Sequence, residues 1–153
     1  MSTLSIGDRV PDFTLKDAQG KDFALAEVLG KKTLVIYFYP KDETAGCTAE
    51  ACCFRDEYEE FTRAGAEVIG ISRDSVDSHR SFAANRRLPF VLLSDSNNAV
   101  RQRFGVAPSL FGLVAGRVTY VVDKAGIVRH VFNSQLRATK HVDEALAMVK
   151  RLA

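Results

Sequence analysis

Apolar and polar positions along the chain alternate between two periods. Residues 33–39 (Thr-Leu-Val-Ile-Tyr-Phe-Tyr) form an aromatic, β-branched run, the pattern of a strand, and Pro40 ends it. From Thr44 the period changes. Stepping 100° per residue from Cys47 places Cys47, Ala51, Phe54, Tyr58 and Phe61 on one apolar stripe, which predicts a helix over 45–63. Further strands are expected at 12–16, 66–72 and 90–93, with a turn at Gln19-Gly20. Helices are expected at 76–87, 99–104 and 141–152. Strands at 118–122 and 127–132 flank Asp123-Lys124-Ala125-Gly126, a hairpin signal. Strands that first alternate with helices and then close in a hairpin predict an α/β layered domain around a mixed sheet, with residues 1–153 as a single unit.

Composition narrows the class. The chain is 46% apolar and 26% charged with a net charge of +2, the profile of an ordinary globular protein. Its basic residues (Lys31-Lys32, Arg86-Arg87, Arg101, Arg103) are scattered and read as solvated faces, so no nucleic-acid or membrane partner is expected. No apolar run spans a bilayer, and Met1-Ser2-Thr3-Leu4 lacks a signal-peptide pattern. Three cysteines within seven residues cannot staple distant loops, and they favour redox or metal chemistry in a reducing, cytoplasmic setting.

The chemistry concentrates where strand gives way to helix. Cys47 falls in the first helical turn, where the positive end of the helix dipole favours a thiolate. Cys52 lies about 140° round the helix, toward solvent, and Cys53 lies near the edge of the stripe. On an intact helix the Cα atoms of Cys47 and Cys52 are roughly 8–9 Å apart, beyond the roughly 7 Å that a disulfide tolerates. The pair can therefore bridge only if the helix unwinds locally. Two rivals fit less well. Soft-metal binding by Cys47, Cys52 and Cys53 lacks the Cys-x-x-Cys ligand loop, and His79, His130 and His141 are scattered in sequence as surface or packing residues. A thiol–disulfide oxidoreductase would also be expected to show Cys-x-x-Cys.

The run Pro40-x-x-x-Thr44-x-x-Cys47 resembles the peroxiredoxin active-site motif. Its extension Cys47-Thr48-Ala49-Glu50-Ala51-Cys52 resembles the peroxiredoxin Q branch, also called bacterioferritin comigratory proteins. The likeness extends to residues 7–15, 75–79, 93–95, 109–112, 116–123, 133–135 and 140–144, nearly the whole chain. It implies a thioredoxin-like fold and a thiol-dependent peroxidase acting on hydrogen peroxide and organic hydroperoxides, with no cofactor and no metal. Carried over by position, Cys47 is the peroxidatic nucleophile and Cys52 the resolving thiol; Cys53 departs from the family as an extra thiol, read here as a spectator, with competition as resolver the alternative. Thr44 hydrogen-bonds thiolate and peroxide, Pro40 shields the pocket, Arg117 is the cationic stabiliser and Glu50 orients Arg117. The resemblance further implies recycling by thioredoxin or a similar dithiol, and a monomer. Ala45 departs from the Pro that many members carry, and Phe111, Leu113 and Val114 are candidates for an apolar wall.

Overall fold

The computed structural model describes residues 4–108 and 115–153. Seven strands form one mixed sheet: β1 Thr14–Asp17, β2 Asp22–Ala24, β3 Thr33–Phe38, β4 Ala66–Ser72, β5 Val91–Ser94, β6 Val118–Val122 and β7 Val128–Asn133. Their order across the sheet is β2-β1-β5-β4-β3-β6-β7, with β3 parallel to β4 and antiparallel to β6. Among the described residues, five α-helices and a short 3-10 helix at Leu25–Glu27 complete the order: α1 Ala45–Asp56, α2 Tyr58–Arg63, α3 Val76–Arg86, α4 Ala99–Phe104 and α5 Lys140–Leu152.

The central strand explains the layering. Every residue of β3 is buried, and its side chains alternate between two cores. Val35, Tyr37 and Tyr39 pack with α1, α2, α3 and α5 through Ala51, Phe54, Phe61, Phe82 and Val142. Leu34, Ile36 and Phe38 pack on the other face with Phe13, Leu25, Val100 and Phe104. A strand buried on both faces needs a continuous apolar run, which is what residues 33–39 supply. Among the described residues, no helix is long and apolar enough to cross a membrane.

Most expected elements form, with four differences. The helix expected over 45–63 is two helices, interrupted at Glu57, whose backbone sits at φ −98°, ψ 5°. No glycine or proline marks that break, so periodicity reads straight through it. Beyond the break Phe61 still reaches Phe54, at a ring separation of 5.6 Å. Strand β2 is unexpected; three residues are too few to show a period, and pairing with β1 alone defines it. β1 and β5 each sit one or two residues later than the expected 12–16 and 90–93. Ile127 stays outside β7 and bridges Arg9 instead. Ser109, Leu110, Phe111, Gly112, Leu113 and Val114 lie outside the described residues, as do Met1, Ser2 and Thr3.

Candidate active site

The end of β3 and the start of α1 deliver the nucleophile. β3 ends at Phe38, Tyr39 is buried behind it, and the half-buried Pro40 starts the loop that carries Thr44 to the N-cap position of α1. Cys47 is the third residue of α1 and is 1% exposed. Its partner arrives from the next strand over, because β6 pairs with β3 and Arg117 immediately precedes β6. Register therefore fixes the meeting of two residues seventy positions apart.

Each edge of the Arg117 guanidinium is assigned. Nη1 donates to Glu50 Oε1 at 2.6 Å, Nε to the Gln135 carbonyl at 3.2 Å, and Nη2 to Cys47 Sγ at 3.4 Å. A guanidinium donating to sulfur is a contact that a thiolate accepts well and a thiol poorly. Burial works against the Arg117 charge, and Glu50 and Cys47 more than offset it, so Arg117 is held firmly protonated. Gly46 makes this approach possible. A Cβ there would stand 3.1 Å from Arg117 Nη2, tight enough to press the guanidinium aside.

Glu50 is fully buried, and burial pushes its carboxyl up to about 8; Arg117 opposes the rise without cancelling it. Its second oxygen, Oε2, has no hydrogen-bond partner among the described residues and lies 3.7 Å from Nδ1 of His141. His141 is itself buried. Its Nε2 donates to the Ser134 carbonyl at 2.8 Å, and its Nδ1 stands 2.7 Å from the Thr119 hydroxyl. Burial lowers this imidazole to about 4, so it is neutral, with Nδ1 accepting from Thr119.

Thr44 differs from expectation. Its exposed hydroxyl donates to the Lys41 carbonyl at 2.8 Å and does not cap α1. A side-chain cap on the first turn of α1 is therefore absent. Cys52 and Cys53 are free and half-buried, both within the unbroken α1. Burial and the nearby Asp143, Glu57, Asp56 and Glu50 carboxylates push the Cys53 thiol up.

Arg101 departs from the solvated face expected of it: it is 6% exposed and donates to the Gly116 and Tyr39 carbonyls. Of the two roles expected for the histidines, surface or packing, His79 and His141 take the second, and both are fully buried in polar networks. His79 Nε2 faces the Leu93 carbonyl at 2.9 Å and must donate there, while Nδ1 stands 2.6 Å from Asp42 Oδ2. Tyr39 and Ser78 hydroxyls also donate to Asp42, so this cluster anchors the loop after Pro40 to α3. Asp42, Asp74 and His79 bring ligand atoms within 4.8 Å of one another, but those atoms are engaged with Tyr39, Ser72, Ser78 and each other. Asp42 escaped the sequence reading because an acid in a polar loop is ordinary until a buried histidine faces it. His79 and His141 both stand in segments that carried the family likeness, without a role attached.

Comparison with known proteins follows the same residues. The AhpC/TSA family pattern matches residues 6–131. The chloroplastic peroxiredoxin Q of Sedum lineare is 53% identical over 146 residues, 95% of this chain and 78% of that protein. That of Populus jackii is 52% identical, over 95% and 68%. Among solved structures, the peroxidoxin BcpB of Mycobacterium tuberculosis superposes with a TM-score of 0.90 at 38% identity, covering 98% and 99% of the two chains. The bacterioferritin comigratory protein of Xanthomonas campestris, solved to explain its alkyl peroxide reduction activity, has a TM-score of 0.85 at 34% identity over 99% and 98%.

Proposed function

The chain belongs to the AhpC/TSA family and to its peroxiredoxin Q branch, a thiol-dependent peroxidase on a thioredoxin-like fold, and from that premise we propose that Cys47 is the residue peroxide oxidises and Cys52 the thiol that resolves it. The observation that carries this reading is the Arg117 fork, which places one η nitrogen on Glu50 and the other on the Cys47 sulfur.

In the first step the Cys47 thiolate attacks the nearer peroxide oxygen. The O–O bond breaks, its electron pair leaves on the far oxygen, and a proton converts that oxygen to water or alcohol. Cys47 is left as a sulfenic acid. Ionisation explains little of the rate. A free thiol of pKa about 8.5 is a few per cent thiolate at neutral pH, so full ionisation gains about 30-fold at most, roughly 2 kcal/mol. The remainder must come from donors aimed at the oxygens as charge develops. Arg117 Nη2, already at the sulfur, is placed to donate to them. Thr44, whose proton is directed to the Lys41 carbonyl, keeps its lone pairs free and accepts from the peroxide O–H, so it orients substrate as an acceptor. Pro40 covers the loop side of this site.

In the second step the Cys52 sulfur attacks the sulfenic sulfur, a disulfide forms and water leaves. This step needs the start of α1 to unwind, because helical spacing keeps the two residues beyond bridging distance. That turn is weakly built. It has no side-chain cap, and Gly46 in its first turn costs about 1 kcal/mol of helix propensity relative to alanine. Cys53, its thiol pushed up by burial and acidic neighbours, is the poorer resolver. Thioredoxin or a similar dithiol then reduces the disulfide. Both cysteines lie on one helix, so the cycle needs no second subunit, and we take the working unit to be a monomer in a reducing compartment such as the cytoplasm. Alkyl hydroperoxides join hydrogen peroxide as substrates, on the strength of the activity named for the Xanthomonas campestris relative.

Intact mass after one equivalent of hydrogen peroxide tests the assignment. The wild-type chain should lose about 2 Da as a disulfide forms, and Cys52→Ser should gain about 16 Da as a sulfenic acid. A Cys52→Ser variant that still loses about 2 Da would transfer the resolving role to Cys53.

A further inference from the structure

Arg101 is a buried cation whose guanidinium, among the described residues, forms no ion pair with a carboxylate. Its Nη1 donates to the Gly116 carbonyl at 2.6 Å and its Nη2 to the Tyr39 carbonyl at 2.9 Å. The group lies over the Phe38 ring, 5.5 Å from its centroid. Moving a guanidinium into a protein interior is costly, and two neutral carbonyls could be satisfied by neutral donors. The two carbonyls are, however, particular ones. Tyr39 immediately precedes Pro40 and the loop that delivers Cys47; Gly116 immediately precedes Arg117.

We propose that Arg101 is a positioning residue for the peroxidase centre, its two η nitrogens clamping the segment that carries the nucleophile to the segment that carries Arg117. Several contacts make the clamp rigid. The Val100 and Arg101 amides both donate to Asp95, at 3.1 and 2.9 Å, fixing the first turn of α4. The Val106 amide returns to the Arg101 carbonyl at 3.1 Å. Gly116 passes so close to the Ala107 carbonyl that a Cβ would stand 2.2 Å from it, so only glycine brings the 116 carbonyl under the guanidinium. Two η nitrogens on one planar group set the spacing of the two carbonyls, which a single ammonium cannot do. Its charge also faces the right way. Burial disfavours that charge, and Asp95, Cys47 and Tyr120 oppose the loss, so the Cys47 thiolate and Arg101 favour each other's charge.

The inference rests on Cys47 as the peroxide-reacting residue, and its test keeps the two apart. In the full chain, Arg101→Met and Arg101→Lys are compared with wild type by two rates at about pH 7, near neutrality where a thiolate must be favoured to be populated. One is the second-order rate of hydrogen peroxide reduction. The other is alkylation of Cys47 by iodoacetamide, followed by peptide mapping. Alkylation needs a thiolate but not the aligned donors; peroxide reduction needs both. Arg101→Met should lose at least roughly tenfold in the peroxide rate, since misplacing reacting groups by about 1 Å costs up to about a hundredfold, while alkylation changes less than about threefold. Arg101→Lys keeps the charge but has one nitrogen in place of two. It should fall between wild type and Arg101→Met, and it decides the matter if Arg101→Met does not fold. Equal loss in both rates, or no loss in either, overturns the positioning role. A wild-type chain that alkylates at Cys47 but does not reduce peroxide sinks the assignment of Cys47 and this inference with it.

Discussion

Glutamine in place of Glu50 should remove an alkaline limb from the peroxide reaction. Burial pushes Glu50 up to about 8, so it holds a proton about 90% of the time at pH 7 and about 10% at pH 9. While Glu50 is neutral, the Arg117 charge is left to the Cys47 sulfur 3.4 Å away. Once ionised, Glu50 takes that charge through the 2.6 Å contact to Nη1. Acceptors on the two η nitrogens of one guanidinium stand on the order of 6 Å apart, where like charges repel by about 3 kcal/mol at an effective dielectric near 20. That is roughly a hundredfold against the thiolate, so the ionised form contributes little, and the rate should fall about tenfold between pH 7 and pH 9. The glutamine amide keeps an oxygen toward Arg117 and cannot ionise. Single-turnover peroxide consumption from about pH 6 to 9.5, spanning the titration on both sides, is the assay. A flat wild-type profile, or the same descending limb in Glu50→Gln, would refute the reasoning. Folding stability supplies the second reading. A carboxyl raised above its unfolded value contributes stability fully below about 4.5 and loses it as pH climbs through about 8; that slope should vanish in Glu50→Gln.

Three further outcomes are expected. Arg117→Met should slow peroxide reduction by about a hundredfold or more, the cost of removing one preorganised donor, as read in second-order rate constants; a loss of only the roughly 30-fold available from ionisation would mean that Arg117 merely favours the thiolate. Gly46→Ala should raise the thermal midpoint, since alanine gains up to about 1 kcal/mol of helix propensity, yet slow both sulfenate and disulfide formation, because its methyl meets Arg117 Nη2 at 3.1 Å and a firmer first turn resists unwinding; equal rates with a raised midpoint would remove the first turn from the mechanism. His141, lowered to about 4 by burial, contributes stability that is present above about 6.5 and lost as pH falls toward 4, so urea midpoints of His141→Gln should decline less than wild type across that window.

The elements that build the site follow from the chain's own pattern. An aromatic, β-branched run marked residues 33–39 as a strand, and the change of period after Pro40 placed Cys47 at a helix start. The resemblance to peroxiredoxins, carried over by position, then grouped Pro40, Thr44, Cys47, Glu50 and Arg117. Contacts across the sheet were beyond reach, because they depend on which strands become neighbours. Only the pairing of β6 with β3 brings Arg117 to Cys47 and turns Glu50 into a buried acid beside His141. Only the packing of α3 against the loop after Pro40 brings Asp42 and His79 together as a buried pair 2.6 Å apart. Arg101 looked like any exposed arginine, since one charged residue in a short helix shows nothing of the carbonyls it will meet. Local periodicity and spacing are properties of neighbouring residues and survive in one dimension. Burial, ion pairing and the proton affinity of a carboxyl are set by what the fold places on the other side of each group.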